Sequence, residues 1–242
     1  MRGNIMIPQE LKTIIDLTIG DGYIGKNGKS MNGRIEHSIK QIEYAKHKEQ
    51  LLRELNIPLS SREYTIKSGK NIGRSYYQIN LNHSDYLRTA HKWLYNKGKK
   101  GLDKALFRQL DQVSLAYWFM DDGSAKLVKY NQKDDKRYVY DIPKIGLFKF
   151  SNQSFDAHEN QLMVEWLKER FDIVARLVTN NGNEVHISDE INKQKFVTLI
   201  EPYIIPSMNY KIKYPLNFDG IGYTIIQRER LSESTLKCDA IV

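Results

Sequence analysis

At 242 residues, with a hydrophobic fraction of 40%, the chain is long enough for one large or two small domains with a hydrophobic core. No apolar run approaches the roughly 20 residues that cross a bilayer, and the N-terminus lacks a signal-peptide pattern, so we expect no membrane association. The single cysteine, Cys238, excludes an internal disulfide and favours a reducing compartment, while the net charge of +8 favours a polyanionic partner.

The first part of the chain begins with a predicted helix over residues 9–21, for which Pro8 suits the first helical position. This helix contains an apolar run at residues 14–22 (IIDLTIGDG), which ends in Asp21 and a glycine. Glycines and asparagines then predict a hairpin over residues 23–39 with a basic, exposed tip. The elements predicted next are a helix capped by Ser38 with Ile42, Ala45, Leu51, Leu52 and Leu55 on its apolar face, strands at 62–66 and 75–81, a helix at 86–95 and a flexible basic link at 96–100.

A second apolar run at residues 115–123 (LAYWFMDDG) again ends in acid and glycine. It is apolar on nearly every face and predicts a helix buried on all sides, with Asp111 as its N-cap. We expect Gly123 to follow the last turn in a left-handed conformation. Asp121 and Asp122 lie in the last turn, where the helix dipole disfavours negative charge. A compensating cation is therefore expected, either a bound divalent metal or a nearby lysine.

The rest of the chain repeats this order of elements. The predicted elements are strands at 125–140 and 145–150 around a charged insert at 132–137, a helix at 156–171, a hairpin over 173–188, a helix at 192–201 and a basic segment at 207–215. The two Asp-Gly pairs lie 101 positions apart (122 minus 21). We predict an α+β fold of two similar halves, at residues 1–97 and 111–215, joined by a basic linker at 98–110. A tail at 216–242 has no counterpart and is assigned no role.

The two acid-ended runs resemble the two copies of the motif that names the LAGLIDADG homing endonucleases. Residues 114–123 are similar to the branch found in mitochondrial and phage introns, and the resemblance covers roughly residues 5–215. It implies a monomer of two pseudo-symmetric αββαββα halves, with the motif helices forming a central interface. It also implies that antiparallel four-stranded sheets lie in the major groove of duplex DNA, and that the protein is a site-specific double-strand endonuclease.

The resemblance implies that Asp21 and Asp122 are the metal-binding catalytic acids, with Mg²⁺ or another divalent ion such as Mn²⁺ as the cofactor. Carboxylate oxygens are hard ligands suited to magnesium. A pair of such sites can generate hydroxide and neutralise the leaving oxygen of an in-line displacement. Gly20 and Asp121, which precede the two acids, complete the candidate metal set, with Asp121 expected to face the partner helix. The alternative for each acid is a solvated turn residue.

Two lysines and two glutamines complete the catalytic candidates. By resemblance, Lys100 (or its neighbour Lys99) and Lys211 match lysines that stand near the scissile phosphate and stabilise developing charge or activate water. Gln41 and Gln153 match polar residues that orient waters. The alternatives are a solvated surface charge for the lysines and a hydrogen bond at a helix start for the glutamines.

Basic residues on the predicted strands and turns, interleaved with tyrosine and asparagine, suit contacts to phosphates and base edges. The candidate DNA contacts are Lys26, Lys29, Arg34, Lys40, Arg62, Lys67, Lys70, Arg74, Lys126, Lys129, Arg137, Lys149 and Arg176.

The sequence departs from the family pattern where small residues are expected in the helix interface, because Asp16 and Tyr117 occupy those positions. A buried, unpaired carboxylate would cost several kcal/mol. We therefore expect the Tyr117 hydroxyl or a backbone group to bond Asp16, or Asp16 to turn to solvent.

Two other functions stay open at this point: an RNA-binding maturase that helps its host intron splice, and a catalytically inactive DNA-binding protein of the same fold. Retention of both acids and both lysines favours the endonuclease over the inactive protein, but a maturase is not separated from it. A mitochondrion, a chloroplast, or a bacterial or phage-infected cytoplasm is the expected location.

Overall fold

The computed structural model describes residues 7–27, 30–96, 98–134, 138–180 and 182–213, without the side chains of residues 27, 129–134 and 138–143. The described residues form two compact units. One runs to Lys126 and continues over Leu147–Ile212, and the other contains the far part of one hairpin, Leu127–Gly146. Lys29, Arg137, the side chain of Lys129 and the tail at 216–242 lie outside what is described.

The first half contains three helices and one four-stranded antiparallel sheet. In chain order the elements are α1 (Gln9–Thr18), β1 (Tyr23–Asn27), β2 (Ser30–Ser38), a 3₁₀ turn (Ile39–Gln41), α2 (Ile42–Glu54), β3 (Leu59–Thr65), β4 (Ser75–Leu81) and α3 (Asp85–Leu94). The strands lie in the order β1-β2-β4-β3. Ser38 caps the 3₁₀ turn that leads into α2, as predicted, by accepting a hydrogen bond from the Lys40 amide.

The second half repeats this arrangement. A short connection of β5 (Tyr95–Asn96), β6 (Lys99–Lys100) and α4 (Lys104–Phe107) leads to α5 (Gln112–Asp122), β7 (Gly123–Asp134), β8 (Tyr138–Phe150), α6 (Ala157–Phe171), β9 (Arg176–Val178), β10 (Glu184–Ile187), α7 (Glu190–Ile200) and two 3₁₀ turns (Glu201–Tyr203 and Pro206–Lys211). Its sheet has the matching order β7-β8-β10-β9. The predicted α+β fold of two αββαββα halves is therefore confirmed, while the predicted domain boundaries stay a prediction.

The two acid-ended helices, α1 and α5, pack against each other at the centre. Every residue of α5 from Ser114 to Met120 is buried, as predicted for a helix apolar on all sides. Phe119 packs against the rings of Phe148, Phe150 and Phe196, with ring centroids 5.0–5.7 Å apart. The close approach of the helices depends on Gly20, since a Cβ there would lie 2.5 Å from the Cβ of Asp121.

The helix ends differ in part from the prediction. Asp111 caps α5 in a capping box with Ser114, as expected. Helix α1, however, ends at Thr18 rather than at residue 21, and Pro8 is its N-cap rather than its first helical residue. The prediction of a left-handed Gly123 was wrong: its φ of −83° and ψ of 154° are extended, because the chain enters β7 directly. Glycine is needed there because a Cβ would overlap the Phe119 ring.

The predicted flexible link at 96–100 is a tight turn instead. Strands β5 and β6 pair antiparallel across Gly98, whose φ of +81° favours glycine. The Gly101 amide closes the turn by donating to the Leu94 carbonyl at 2.9 Å. The turn directs Lys100 back toward the end of α1.

Candidate functional site

Asp21 follows helix α1, and Asp122 is the last residue of helix α5. The two acids are close enough for the charge of Asp21 to act on Asp122. Burial raises the pKa of Asp122 to about 7, and the charges of Asp21 and Asp121 add to this effect. The pKa of Asp21 is also raised, first by burial and then by the charge of Asp121. Two acids whose ionised forms are disfavoured in this way provide a place where an added cation would be stabilised.

Lys100 lies against the C-terminal end of α1. Its Nζ donates to the carbonyl oxygens of Thr18 at 2.7 Å, Ile19 at 3.2 Å, Gly20 at 2.7 Å and Gly22 at 2.6 Å. The last carbonyls of a helix have no partner within it and carry its negative dipole end, so an ammonium group stabilises them. Burial lowers the pKa of Lys100 to about 8. Its neighbour Lys99 is exposed.

Lys211 lies in the same way against the C-terminal end of α5. Its Nζ donates to the carbonyl oxygens of Phe119 at 3.4 Å, Met120 at 2.5 Å and Asp121 at 3.1 Å. Burial lowers its pKa as well, although the charges of Asp121, Asp21 and Asp122 oppose that change. Both predicted lysines thus lie beside the acids, and the compensating cation expected at each helix end is present as a lysine.

Asp121 is held by a cluster that the sequence analysis missed. Its Oδ1 accepts from Lys48 Nζ at 2.7 Å and from the Tyr44 hydroxyl at 2.9 Å, and its Oδ2 accepts from the Asp21 amide at 3.2 Å. The side chains of Lys48 and Asp121 are both 0% exposed. Burial alone would raise the pKa of Asp121, but the charge and hydrogen bond of Lys48 outweigh burial, and the pKa is lowered. Asp121 is therefore an ionised group with its partners inside the protein.

A visible signal pointed to Lys48. It lies three residues after Ala45 and four before Leu52, on the buried stripe of α2. A lysine on such a stripe needs a buried acid. The predicted apolar face was partly wrong, because Ile42, Leu51 and Leu55 are only half-buried whereas Lys48 and Tyr44 are buried.

His37, near the end of β2, was also missed. It is 3% exposed, and its Nδ1 lies 3.9 Å from Asp21 Oδ2. Its ring packs against Tyr44 with centroids 4.8 Å apart. Burial, reinforced by the charge of Lys48, lowers its pKa to about 3. Potential ligand atoms of Asp21, His37 and Asp121 all lie within 4.8 Å of one another.

The two glutamines do not bond the acids in this structure. Gln41 Nε2 donates to the Tyr210 hydroxyl at 3.3 Å. Gln153 is exposed, and its side chain packs over Gly182. Their predicted role in orienting water stays a prediction.

The outer face of the first sheet is polar and internally connected. Arg62 donates to Gln78 Oε1 at 3.0–3.1 Å, and Gln78 Nε2 donates to Asn80 at 2.9 Å. Arg34 pairs with Asn80 across β2 and β4 and is exposed. The candidates Lys40, Lys67, Lys70 and Arg74 are exposed as well. Lys26 is exposed but differs, because the strand register places it opposite Met31, on the face that packs against helices.

The second sheet has a corresponding polar row. Lys149 pairs with His186, and His186 pairs with Arg176, so the three share one face. Lys149 Nζ donates to Glu184 at 2.7 Å, and Glu184 also contacts His186 at 2.8 Å. Lys126 is exposed on β7.

The expected bond between Asp16 and Tyr117 was wrong. Asp16 is buried and accepts from Lys12 Nζ at 2.6 and 2.8 Å, one turn earlier on the same helix. Lys12 also donates to Asp111 at 3.1 Å and to Ser114 at 2.7 Å, so it joins α1 to the start of α5. The Tyr117 hydroxyl instead hydrogen-bonds His47 Nε2 at 2.8 Å. Asp16 is therefore bonded by a lysine of its own helix and not by Tyr117 across the interface.

Within the described part of the chain, none of the helices has both the length and the apolar character that a membrane span requires.

Comparison with known proteins gives a consistent result. Residues 12–196 match the LAGLIDADG DNA endonuclease family. The chain is 23% identical over 206 residues to "Probable intron-encoded endonuclease 1" of Wickerhamomyces canadensis, covering 84% of this chain and 83% of that protein. It is 24% identical over 210 residues to RecA of Mycolicibacterium flavescens, covering 84% of this chain but 46% of that protein.

Two further comparisons extend this result. The chain is 27% identical over 218 residues to the cytochrome b mRNA maturase bI2 of Saccharomyces cerevisiae, covering 84% of this chain and 47% of that protein. Among solved structures, the homing endonuclease I-WcaI bound to its DNA recognition sequence matches with a TM-score of 0.66 and 23% identity. That match covers 86% of this chain and 88% of I-WcaI. The chain thus spans most of some relatives and about half of others.

Proposed function

The chain belongs to the LAGLIDADG DNA endonuclease family, and we propose that it is a monomeric homing endonuclease that hydrolyses both strands of a long, asymmetric duplex DNA site. The observation that carries this proposal is the pair of acids, Asp21 and Asp122, brought together where the two central helices end. Each helix end also holds a half-buried lysine: Lys100 donates to the Gly20 and Gly22 carbonyls on either side of Asp21, and Lys211 donates to the Asp121 carbonyl next to Asp122. One acid and one lysine per half match a duplex whose two scissile phosphates are related by its own twofold axis.

The residues present fit a divalent metal such as Mg²⁺ or Mn²⁺. The Asp21 side chain is 45% exposed, and no described residue donates a hydrogen bond to the carboxylate of Asp21 or Asp122. Their oxygens are therefore available as hard ligands. Burial raises the pKa of both acids, the charge of Asp121 raises both further, and the charge of Asp21 also raises that of Asp122, so a dication would relieve this repulsion. When bound, such a metal lowers the pKa of a water and neutralises charge on phosphate oxygens.

The remaining groups of the site bind and orient the DNA. Lys100 and Lys211 place fixed positive charge beside the acids, where a phosphate would develop negative charge. Arg34 and Arg62, both exposed on the outer face of the first sheet, present donors of the kind that read base edges in the major groove, and Gln78 holds Arg62 in position. The exposed lysines and arginines at strand ends and turns would contact phosphates and fix the register of the protein on the duplex.

A maturase function is the second candidate, because the chain is similar to a cytochrome b mRNA maturase along most of its length. RNA binding gives no reason for two carboxylates to face the backbone phosphates, so the endonuclease is the first choice. An organelle or a bacterial cytoplasm, where target DNA and reducing conditions coexist, is the proposed location.

The test is cleavage of a library of random duplexes by the purified protein with Mg²⁺. We expect a single long consensus site cut on both strands, and no cutting when the metal is chelated. The Asp21→Asn/Asp122→Asn double variant is the control for a contaminating nuclease. Absence of cleavage with either Mg²⁺ or Mn²⁺, or cleavage without sequence preference, would contradict the proposal.

A further inference from the structure

His37 is a buried side chain with no hydrogen-bond partner among the described residues. Its Nε2 is fully enclosed without a partner, and its Nδ1 lies 3.9 Å from the nearest oxygen of Asp21. That distance is too long for a hydrogen bond. A histidine that only filled the core would be expected to use its ring nitrogens, because buried polar atoms nearly always find partners. A ligand between Nδ1 and the Asp21 carboxylate would give one of the two ring nitrogens a partner.

The distance between the two groups suits one bound ion. Two donors that each lie about 2.1 Å from a small divalent ion are about 3 Å apart when adjacent and about 4.2 Å apart when opposite. The separation of 3.9 Å between His37 Nδ1 and Asp21 Oδ2 lies between these two values, so a small shift of either side chain would bring both atoms to one ion.

We propose that His37 Nδ1 and the Asp21 carboxylate form a mixed nitrogen–oxygen site for a divalent cation in the first half of the protein. This deepens the proposed function, since it rests on Asp21 as a metal-binding acid. Asp121 supports the site without binding the ion: its Oδ1 is taken by Lys48 and Tyr44, and its Oδ2 holds the Asp21 amide. An imidazole nitrogen suits Zn²⁺, Ni²⁺ and Fe²⁺ better than Mg²⁺, which suits oxygen ligands.

Among the described residues, the second half has no such donor at the matching position. His37 is the last inward-facing residue of β2, just before Ser38, and Phe150 holds the same place on β8, just before Ser151. A phenyl ring has no lone pair for a metal. We therefore expect the two halves to differ in the metals they prefer.

The test is electron spin-echo spectroscopy of Mn²⁺ added alone, below one equivalent, to the full-length protein without DNA. A directly bound imidazole gives a nitrogen coupling that water and carboxylate ligands do not give. We expect that coupling in the wild-type protein, and we expect it to change to the ¹⁵N pattern when the protein's histidines are ¹⁵N-labelled. This part of the test needs no variant, so it holds even if a substitution at the buried His37 impairs folding.

Two variants assign the coupling to one residue. His37→Gln should bind Mn²⁺ without nitrogen coupling, whereas His158→Gln, at an exposed position on α6, should keep the coupling. Bound Mn²⁺ without histidine coupling, a coupling that survives in His37→Gln, or no Mn²⁺ binding at all would overturn the proposal. Sequence-specific cleavage by a protein with no histidine coupling would reject the mixed site while leaving the endonuclease function intact.

Discussion

The ends of α1 and α5 both have an acid with a lysine beside it, but the residues around these two groups differ. At each end a half-buried lysine, Lys100 or Lys211, donates to three or more of the last carbonyls, and an acid lies beside it. Any helix end that carries an acid against its dipole needs such a cation. Both halves therefore contain a lysine at this helix end, Lys100 in the first and Lys211 in the second.

The surroundings differ because the residue before the acid is the buried Asp121 in the second half and Gly20 in the first. Asp121 fills the space that Gly20 leaves open on the opposite helix, and Lys48 neutralises it from α2. In α6, the counterpart of α2, Asn160 donates to the carbonyls of Asn152, Phe155 and Asp156 and so secures the start of its own helix. The helix-end chemistry is therefore common to both halves, whereas the supporting contacts differ: Lys48 of the first half neutralises Asp121 of the second, and Asn160 holds only its own helix.

The largest expected effect comes from the two acids, Asp21 and Asp122. Asp21→Asn or Asp122→Asn should slow double-strand cleavage by at least about 100-fold, the lower end of what positioned catalytic groups contribute. DNA affinity should stay near wild type, because an amide keeps the shape of the acid and removes charge repulsion with phosphate. Single-turnover rates at saturating protein separate the two quantities. Asp85→Asn, whose side chain is 90% exposed on α3, is the matched control. Undiminished cutting by the double variant would reject the assignment.

The next effect tests the supporting contacts of the first half. Lys48→Met should lower the free energy of unfolding by about 3–5 kcal/mol, because it leaves Asp121 charged and unpaired inside the protein. Adding Asp121→Asn should recover most of that loss. In the second half, Asn160→Ala should cost about 1–3 kcal/mol, since it removes neutral hydrogen bonds only. Urea melts of the wild type and these three variants measure this difference. Equal costs for Lys48→Met and Asn160→Ala would remove the distinction between the halves.

The free energy of unfolding should also depend on pH through Asp16, which lies in the first half. Burial raises the pKa of Asp16 to about 6, against the opposing charge and hydrogen bonds of Lys12 and Ser114 and with a small addition from Asp111. A raised pKa in the folded state means that the contribution of Asp16 to stability is fully present below pH 4 and is lost as pH rises through about 6. The loss amounts to up to about 3 kcal/mol. Its counterpart Tyr117, whose pKa burial raises, stays neutral over this range.

Urea melts between pH 4 and pH 7.5 measure this effect. The fall in stability should be flatter in Asp16→Asn than in the wild type, while Tyr117→Phe should keep the wild-type slope. An unchanged slope in Asp16→Asn would show that Asp16 stays ionised throughout.

The smallest effect compares the two lysines. Lys100→Met and Lys211→Met should each destabilise the protein by up to about 2 kcal/mol, because each removes a cation from a helix C-terminus. Lys100 should cost more than Lys211, since it donates to four carbonyls rather than three. Lys99→Met, at the exposed neighbouring position, is the control for a general charge effect. A cost no greater than that of Lys99→Met would mean that the carbonyl contacts do not stabilise the helix ends.

Local patterns were enough to predict most of the fold. The repeated apolar runs predicted α1 and α5, and the N-caps at Asp111 and Ser38 were read correctly, because a cap depends on residues two or three positions away. The conformation of Gly123 was misjudged because it depends on the Phe119 ring and on the strand that follows.

The contacts around the acids could be predicted only in part. The spacing of Lys48 with Ala45 and Leu52 predicts a buried lysine, and the alternation of His37 with Ile35 places both on the inner face of β2. The partner of Lys48, however, is Asp121, 73 positions away. No local pattern connects two residues at that separation, so the cluster appears only once the halves are folded together.

We propose that each half cuts one strand of the DNA. The two sites share an acid and a lysine but differ in the contacts that support them. Cleavage of the target duplex by wild-type protein with Mg²⁺, with each strand labelled separately and followed in a single turnover, tests this most directly. We predict that one protein molecule cuts both strands, with two different rate constants. Identical rate constants for both strands, or cleavage of one strand only, would contradict the claim.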